Sequence, residues 1–142
     1  MKALLDTNVA MDFLSDRIPF SDDAEKVFTF CCSELVDGYF MAHSFCDLHY
    51  ILNKCLHDEA MVRDVMGFWA RFVSILETTA DDCIKALNGA FGDYEDAVIA
   101  NAAKRCGIDY IVTRNTKDFE NSPVPAVTPR EFIGIALKAD LS

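Results

Sequence analysis

The chain has 142 residues, 51% of them hydrophobic with 11 Phe, which is enough apolar mass for one domain with a real core and no need of covalent staples. Its net charge of −10 excludes a passive nucleic-acid coat, which needs basic surface to release counterions, but not an enzyme whose carboxylates gather cations. No run of eighteen apolar residues suggests a membrane span, and the opening Met1-Lys2-Ala3-Leu4-Leu5-Asp6 turns acidic too soon for a signal peptide, so a cytoplasmic protein without membrane contact is expected.

The predicted elements alternate. Lys2–Leu5 is a short apolar strand that ends abruptly at Asp6-Thr7-Asn8, and Val9–Leu14 supplies a helical turn or two before Pro19. Ser21-Asp22-Asp23 starts a helix to about Leu35, with acids in the first turn where the helix dipole favours them. Residues 38–42 form a second strand. Ser44 opens a helix through about Leu56, with Asp47 three residues on in a capping-box pattern, and Asp58 caps another to about Phe72. Val73–Leu76 is a third strand, and Thr79 starts a short helix that stops near Gly89–Gly92. The helix after Asp93 ends at Gly107, residues 110–113 form a fourth strand, and Ala126-Val127 a short fifth. Thr128 and Pro129 then cap and open a last helix. Uniformly apolar strands alternating with helices predict one α/β domain over residues 1–142, a three-layer α/β/α arrangement around a parallel sheet of four to five strands.

Six cysteines (31, 32, 46, 55, 83, 106) include no C-x-x-C pair and show no zinc-finger spacing to His43, His49 or His57, so they read as reduced, packed thiols. The acids are more informative. In a parallel sheet the carboxyl ends of the strands share one edge. Asp6 ends the first strand, Ser44 and Asp47 follow the second, Asp93, Glu95 and Asp96 open the helix before the fourth, and Thr113, Asn115 and Asp118 follow the fourth. Four separated segments thus bring acids to one edge. At about 100° per residue, Asp96 shares a stripe with Ile99, Ala100 and Ala103, while Asn101, Lys104 and Arg105 make a polar face with Tyr94 and Val98 beside it. Such clusters persist where a hard divalent cation offsets their repulsion and serves phosphodiester hydrolysis.

The segments LLDTNVAMDFL, MAHSFCDLHYIL, DYEDAVIANAAKRCGIDYIVTRNTKDF and VPAVTPREFI occur in the order of a known family. The chain resembles PIN-domain proteins of the VapC-like kind, the toxin ribonucleases of type II toxin–antitoxin pairs. The resemblance implies Mg²⁺- or Mn²⁺-dependent RNA hydrolysis leaving 5′-phosphate and 3′-hydroxyl ends, a cognate antitoxin and a homodimer. It maps the catalytic acids to Asp6, Asp47 and Asp96, with Asp93 accessory, and Asp118 as fourth acid because the usual position holds Asn115. It gives metal binding to Asp6, Asp93, Asp96 and Asp118, and supporting roles to Asn8, Ser44, Thr113 and Asn115. Asp47 is a departure, since the family usually has Glu there. Arg114 and Lys117 are the expected RNA phosphate contacts, with Lys54, Arg63 and Arg71 next in line. Two other functions compete: a non-cutting PIN-like scaffold, and a haloacid-dehalogenase-like phosphatase with Asp6 as nucleophile, which would need an acid where Asn8 stands.

Overall fold

The computed structural model describes all of residues 1–142. Five strands form one wholly parallel sheet in the order β3-β2-β1-β4-β5: β1 (Lys2–Leu5), β2 (Asp37–Met41), β3 (Val73–Leu76), β4 (Tyr110–Val112) and β5 (Ala126–Val127). Seven helices pack around it: α1 (Thr7–Leu14), α2 (Ser21–Cys32), α3 (Ala42–Leu56), α4 (Glu59–Trp69), α5 (Ala80–Lys85), α6 (Tyr94–Arg105) and α7 (Pro129–Asp140). No helix is long and apolar enough to cross a membrane.

Strand alternation sorts side chains into two layers. Ala3, Leu5, Phe40 and Val112 enter a core shared with α1, α2, α3, α4 and α7, while Leu4, Met41 and Ile111 enter a second one with Ile99, Ala102 and Ala103 of α6. The three-layer expectation holds. Phe28 and Trp69 stack at 4.4 Å in the larger core, with Phe13 and Phe40 on the same indole at 5.7 and 5.4 Å.

Several boundaries differ from the expectation. α2 ends at Cys32 and α4 at Trp69, each about three residues early, as the chain turns tightly into the following strand. α3 begins at Ala42 directly from β2, so Met41 occupies the cap position with no side-chain bond, and Ser44 lies buried in the first turn. Ser44 and Asp47 therefore form no capping box. Val98 is buried beside Ala86 and Ala97 rather than flanking a solvated face, because α5 covers that side of α6. Part of the polar face is an interface: Asn101 donates to the Asp82 carbonyl at 3.1 Å, and Arg105 holds the Asp82 carboxylate at 2.9 and 3.1 Å, while Lys104 stays exposed. All six cysteines are free, but Cys46 and Cys55 are exposed, so packing as small hydrophobes fits Cys31 best.

The strand order positions the site. α1 and α2 carry the chain from β1 to β2 over one face, whereas α5 and α6 lead into β4 over the other. Connections therefore diverge between the adjacent central strands β1 and β4, and the crevice at their carboxyl ends is where open parallel sheets bind ligands.

Candidate active site

Asp6 leaves β1 at that crevice and caps α1, its Oδ1 accepting from the Thr7 amide at 2.7 Å. Because Leu5 pairs in register with Val112, the next residues, Asp6 and Thr113, become neighbours. The fully buried Thr113 hydroxyl donates to Asp6 Oδ2 at 2.8 Å and accepts from the Asn8 side-chain amide (3.2 Å) and the Asn115 backbone (3.1 Å). Asn8 also donates to Asp6 Oδ2 at 3.2 Å, and its amide oxygen accepts from the Arg114 backbone at 3.3 Å. Residues 105 or more positions apart thus form one closed network that fixes the Asp6 carboxylate.

The other acids surround it. An open cleft of about 540 Å³ is lined by Asp6, Thr7, Asn8, Asp47, Tyr50, Ile51, Asp93, Glu95, Asp96, Asn115 and Asp118. Asp47 comes from α3, and Asp118 from a single 3-10 turn at Thr116–Phe119. Asp93 caps α6, accepting from the Asp96 amide at 3.1 Å, which turns Asp96 toward the cleft while using one Asp93 oxygen. Ser44 does not line the cleft.

Electrostatically the cleft is uncompensated. Burial, then the charges of Asp93, Asp6, Asp118 and Glu95, push the Asp96 carboxyl up to about 7. Burial raises Asp6 too, against the lowering effect of the Thr113 hydroxyl and Thr7 amide. Glu95 is raised first by burial and then by Asp47, Asp6 and Asp93, with His43 opposing. A group that holds a proton near neutrality beside four other acids is one that a cation would relieve. The donors lining the cleft are carboxylate, amide and hydroxyl oxygens, with no thiol or imidazole, which fits a hard divalent ion. They are spread around the cleft rather than closed on one point: no group of three His, Cys, Asp or Glu side chains forms a finished shell.

Sequence reasoning passed over three residues. His43, which follows β2 by two positions, bonds the Thr78 hydroxyl through Nδ1 at 2.7 Å and holds Nε2 3.6 Å from Glu95, partly offsetting that acid. Tyr50 forms part of the cleft wall under Lys54, whose ammonium lies 5.1 Å from the ring centre. Asp12 is fully buried in α1, and Arg114 Nε reaches its Oδ2 at 2.6 Å. A lone acid inside the apolar run VAMDFL was the available signal, since a buried carboxylate needs a cationic partner.

That ion pair sets where Arg114, one of the expected phosphate contacts, lies. Arg114 does not reach over the carboxylates; it is drawn onto Asp12 and stacks over Phe20 at 4.4 Å. Lys117 is exposed and borders a different recess with Asp93, Asp96 and Asp118. Arg63 is held by Glu59 at 2.6 Å, and Arg71 lines a recess with Asp37 and Gly38 at the opposite edge of the sheet, away from the acids.

Acids thus converge at the switch point of a parallel α/β sheet, the place where such sheets bind ligands. The sequence matches the PIN domain model over residues 2–117, and the chain belongs to that family. The fold is shared with a toxin–antitoxin complex from Klebsiella pneumoniae (23% identity, 89% of this chain and 97% of that one, TM-score 0.64) and with VapBC-1 from nontypeable Haemophilus influenzae (16%, 92% and 99%, 0.68). VapC20 of Mycobacterium tuberculosis, a sarcin–ricin loop cleaving toxin, is similar over 77% of this chain and 86% of its own (16% identity, TM-score 0.58). Among curated proteins none matches the sequence.

Proposed function

We propose that the protein is a divalent-metal-dependent endoribonuclease, the toxin of a toxin–antitoxin pair, acting in the cytoplasm through residues 1–142 as a single nuclease domain. The observation that carries this reading is the uncompensated acidity of the β1/β4 crevice, where Asp96 is pushed up to about 7 while Asp6 is pinned by Thr113 and Asn8. Asp6, Asp96 and Asp118, with Asp93, would hold Mg²⁺ or Mn²⁺. A cation bound there supplies an activated nucleophile and neutralises charge building on the phosphodiester.

The chain's own residues do the rest. The Thr113 hydroxyl and Asn8 amide fix one oxygen of Asp6 and leave it no freedom to rotate away. Asp93 keeps the first turn of α6 in place, so that Asp96 faces the cleft. Asp47 and Glu95 complete the acidic wall, where they can receive a proton released during hydrolysis. Asn8 argues against the phosphatase: its side-chain amide donates to both Asp6 and Thr113, so the position that chemistry reserves for an acid is a hydrogen-bond donor. Likeness to toxin–antitoxin complexes supports an antitoxin as partner; a homodimer, and RNA cut to 5′-phosphate and 3′-hydroxyl ends, belong to the same proposal.

The test is cleavage of RNA in Mn²⁺ or Mg²⁺ alongside hydrolysis of an aryl phosphate. RNA cleavage that chelator stops supports the reading. Aryl phosphate hydrolysis alone would establish the phosphatase, and inertness toward both would leave the scaffold.

A further inference from the structure

A second cavity, of about 330 Å³, adjoins the site through the backbone of one segment: Asn115 lines the acidic cleft, and Arg114 lines this cavity with Pro19, Phe20, Asp23, Thr128, Pro129 and Arg130. Unlike the cleft, it holds arginines, each paired with a carboxylate. Two guanidinium groups border it in a chain whose net charge is −10. Each is anchored by Nε alone, Arg114 to the buried Asp12 at 2.6 Å and Arg130 to Asp23 at 3.1 Å. Arg130 donates to Asp23 through Nε, whereas the Arg114–Asp12 approach is a charge contact without hydrogen-bond geometry, and neither arginine makes an internal hydrogen bond through Nη.

The anchoring of Arg114 is costly, and therefore informative. Both Asp12 oxygens are inaccessible, with Arg17 the only other cation near, at 3.7 Å. A buried carboxylate of this kind contributes little net stability, but it sets where its guanidinium sits. Here it holds the Arg114 guanidinium carbon 4.4 Å from the centre of the Phe20 ring, which remains 41% exposed. Pro19 and Pro129 add flat apolar wall. Guanidinium edges for a phosphate beside an aromatic and proline surface for a base are the two elements that a single-stranded nucleotide requires.

We propose that this cavity is a subsite for a nucleotide of single-stranded RNA adjacent to the scissile phosphate, its phosphate taken by Arg114 and Arg130 and its base lying against Phe20. The assignment rests on the ribonuclease reading for its place in the reaction. It also gives an acidic protein a local, rather than long-range, means of holding RNA.

The test uses nucleoside 5′-monophosphates, which contain no bond to cut, titrated into the intact protein and followed by NMR. The ring resonances of Phe20 and the Nε resonances of Arg114 and Arg130 should shift saturably, and inorganic phosphate should bind more weakly. Arg130→Gln and Phe20→Leu alter exposed groups and spare the buried Asp12 pair, so both variants should fold. Each should weaken nucleotide binding and raise KM for RNA roughly fivefold or more, and Arg130→Gln should lower the salt slope of RNA binding by about one charge. Unmoved resonances, or variants that bind as the wild type does, overturn the subsite even if the wild type cuts RNA. A wild type that shifts on titration but never cuts RNA overturns the ribonuclease reading and leaves the nucleotide site standing.

Discussion

The two ends of α6 treat acid in opposite ways. At its N-terminus, Asp96 faces Asp93, Asp6, Asp118 and Glu95 without an ion-pair partner, and its carboxyl is pushed up to about 7. At its C-terminus, Arg105 reaches back to Asp82, only 2% exposed, which also completes a capping box with Thr79. Burial opposes ionisation of Asp82 as well, yet Arg105 and the Thr79 amide and hydroxyl more than offset it and hold that carboxyl below its ordinary range. One helix thus joins an acid that the fold has satisfied to acids that it has left in need of an outside charge. The difference separates structural from functional carboxylates better than burial does.

The comparison breaks most sharply at the unsatisfied end. Asp6→Asn and Asp96→Asn should each lower metal-dependent RNA cleavage by more than about 100-fold, beyond the loss typical of groups that merely support metal ligands. Thermal melting in chelator should be unchanged or slightly raised, because a repulsive charge is removed. Near wild-type cleavage by either variant would show that the site is misassigned.

At the satisfied end the signs reverse. Arg105→Leu strands the Asp82 carboxylate in the interior and should cost about 3 kcal/mol in denaturant melts, while the remaining folded fraction cuts RNA normally. A change below 0.5 kcal/mol, the usual limit for an unremarkable surface substitution, would mean that the pair is not structural.

The same contrast predicts two separate limbs in stability against pH. Asp96 has a folded value above that of an unfolded carboxylate, about 3.9. The folded state therefore holds an extra proton, whose contribution is complete below about pH 4 and lost as pH rises toward 7. Melting temperature of metal-free protein should fall across that window, and Mn²⁺ should restore it near pH 7. Asp82 is lowered, so its contribution is present above about pH 4 and lost only as the solution becomes more acidic. Asp96→Asn should flatten the first limb and leave the second.

Smaller effects sharpen the picture. Asp118→Ala should cost more cleavage than Asn115→Ala, since a carboxylate binds a hard cation better than an amide; the reverse order in kcat/KM would transfer the ligand role to Asn115. Away from the site, a Cβ on Gly38 would meet Cys31 Sγ at 2.6 Å, so Gly38→Ala should destabilise by about 1 kcal/mol with kcat unaltered.

Much of this was legible in the chain because it depends on local pattern. Short apolar strands between helices determined a parallel α/β sheet, parallel strands placed Asp6, Asp47, Asp96 and Asp118 at one edge, and Thr128-Pro129 announced α7 through capping chemistry that operates within three residues. Tertiary structure alone decided which polar groups were already spoken for. Helical periodicity gave α6 a polar face without showing that Asn101 and Arg105 on it engage Asp82, and loop position did not show that Asp12, 102 residues earlier, holds Arg114. Pairing of that kind is set by burial and charge across the fold. A carboxylate removed from water must find a cation wherever the packed chain provides one, and no spacing along the sequence records the distance between them.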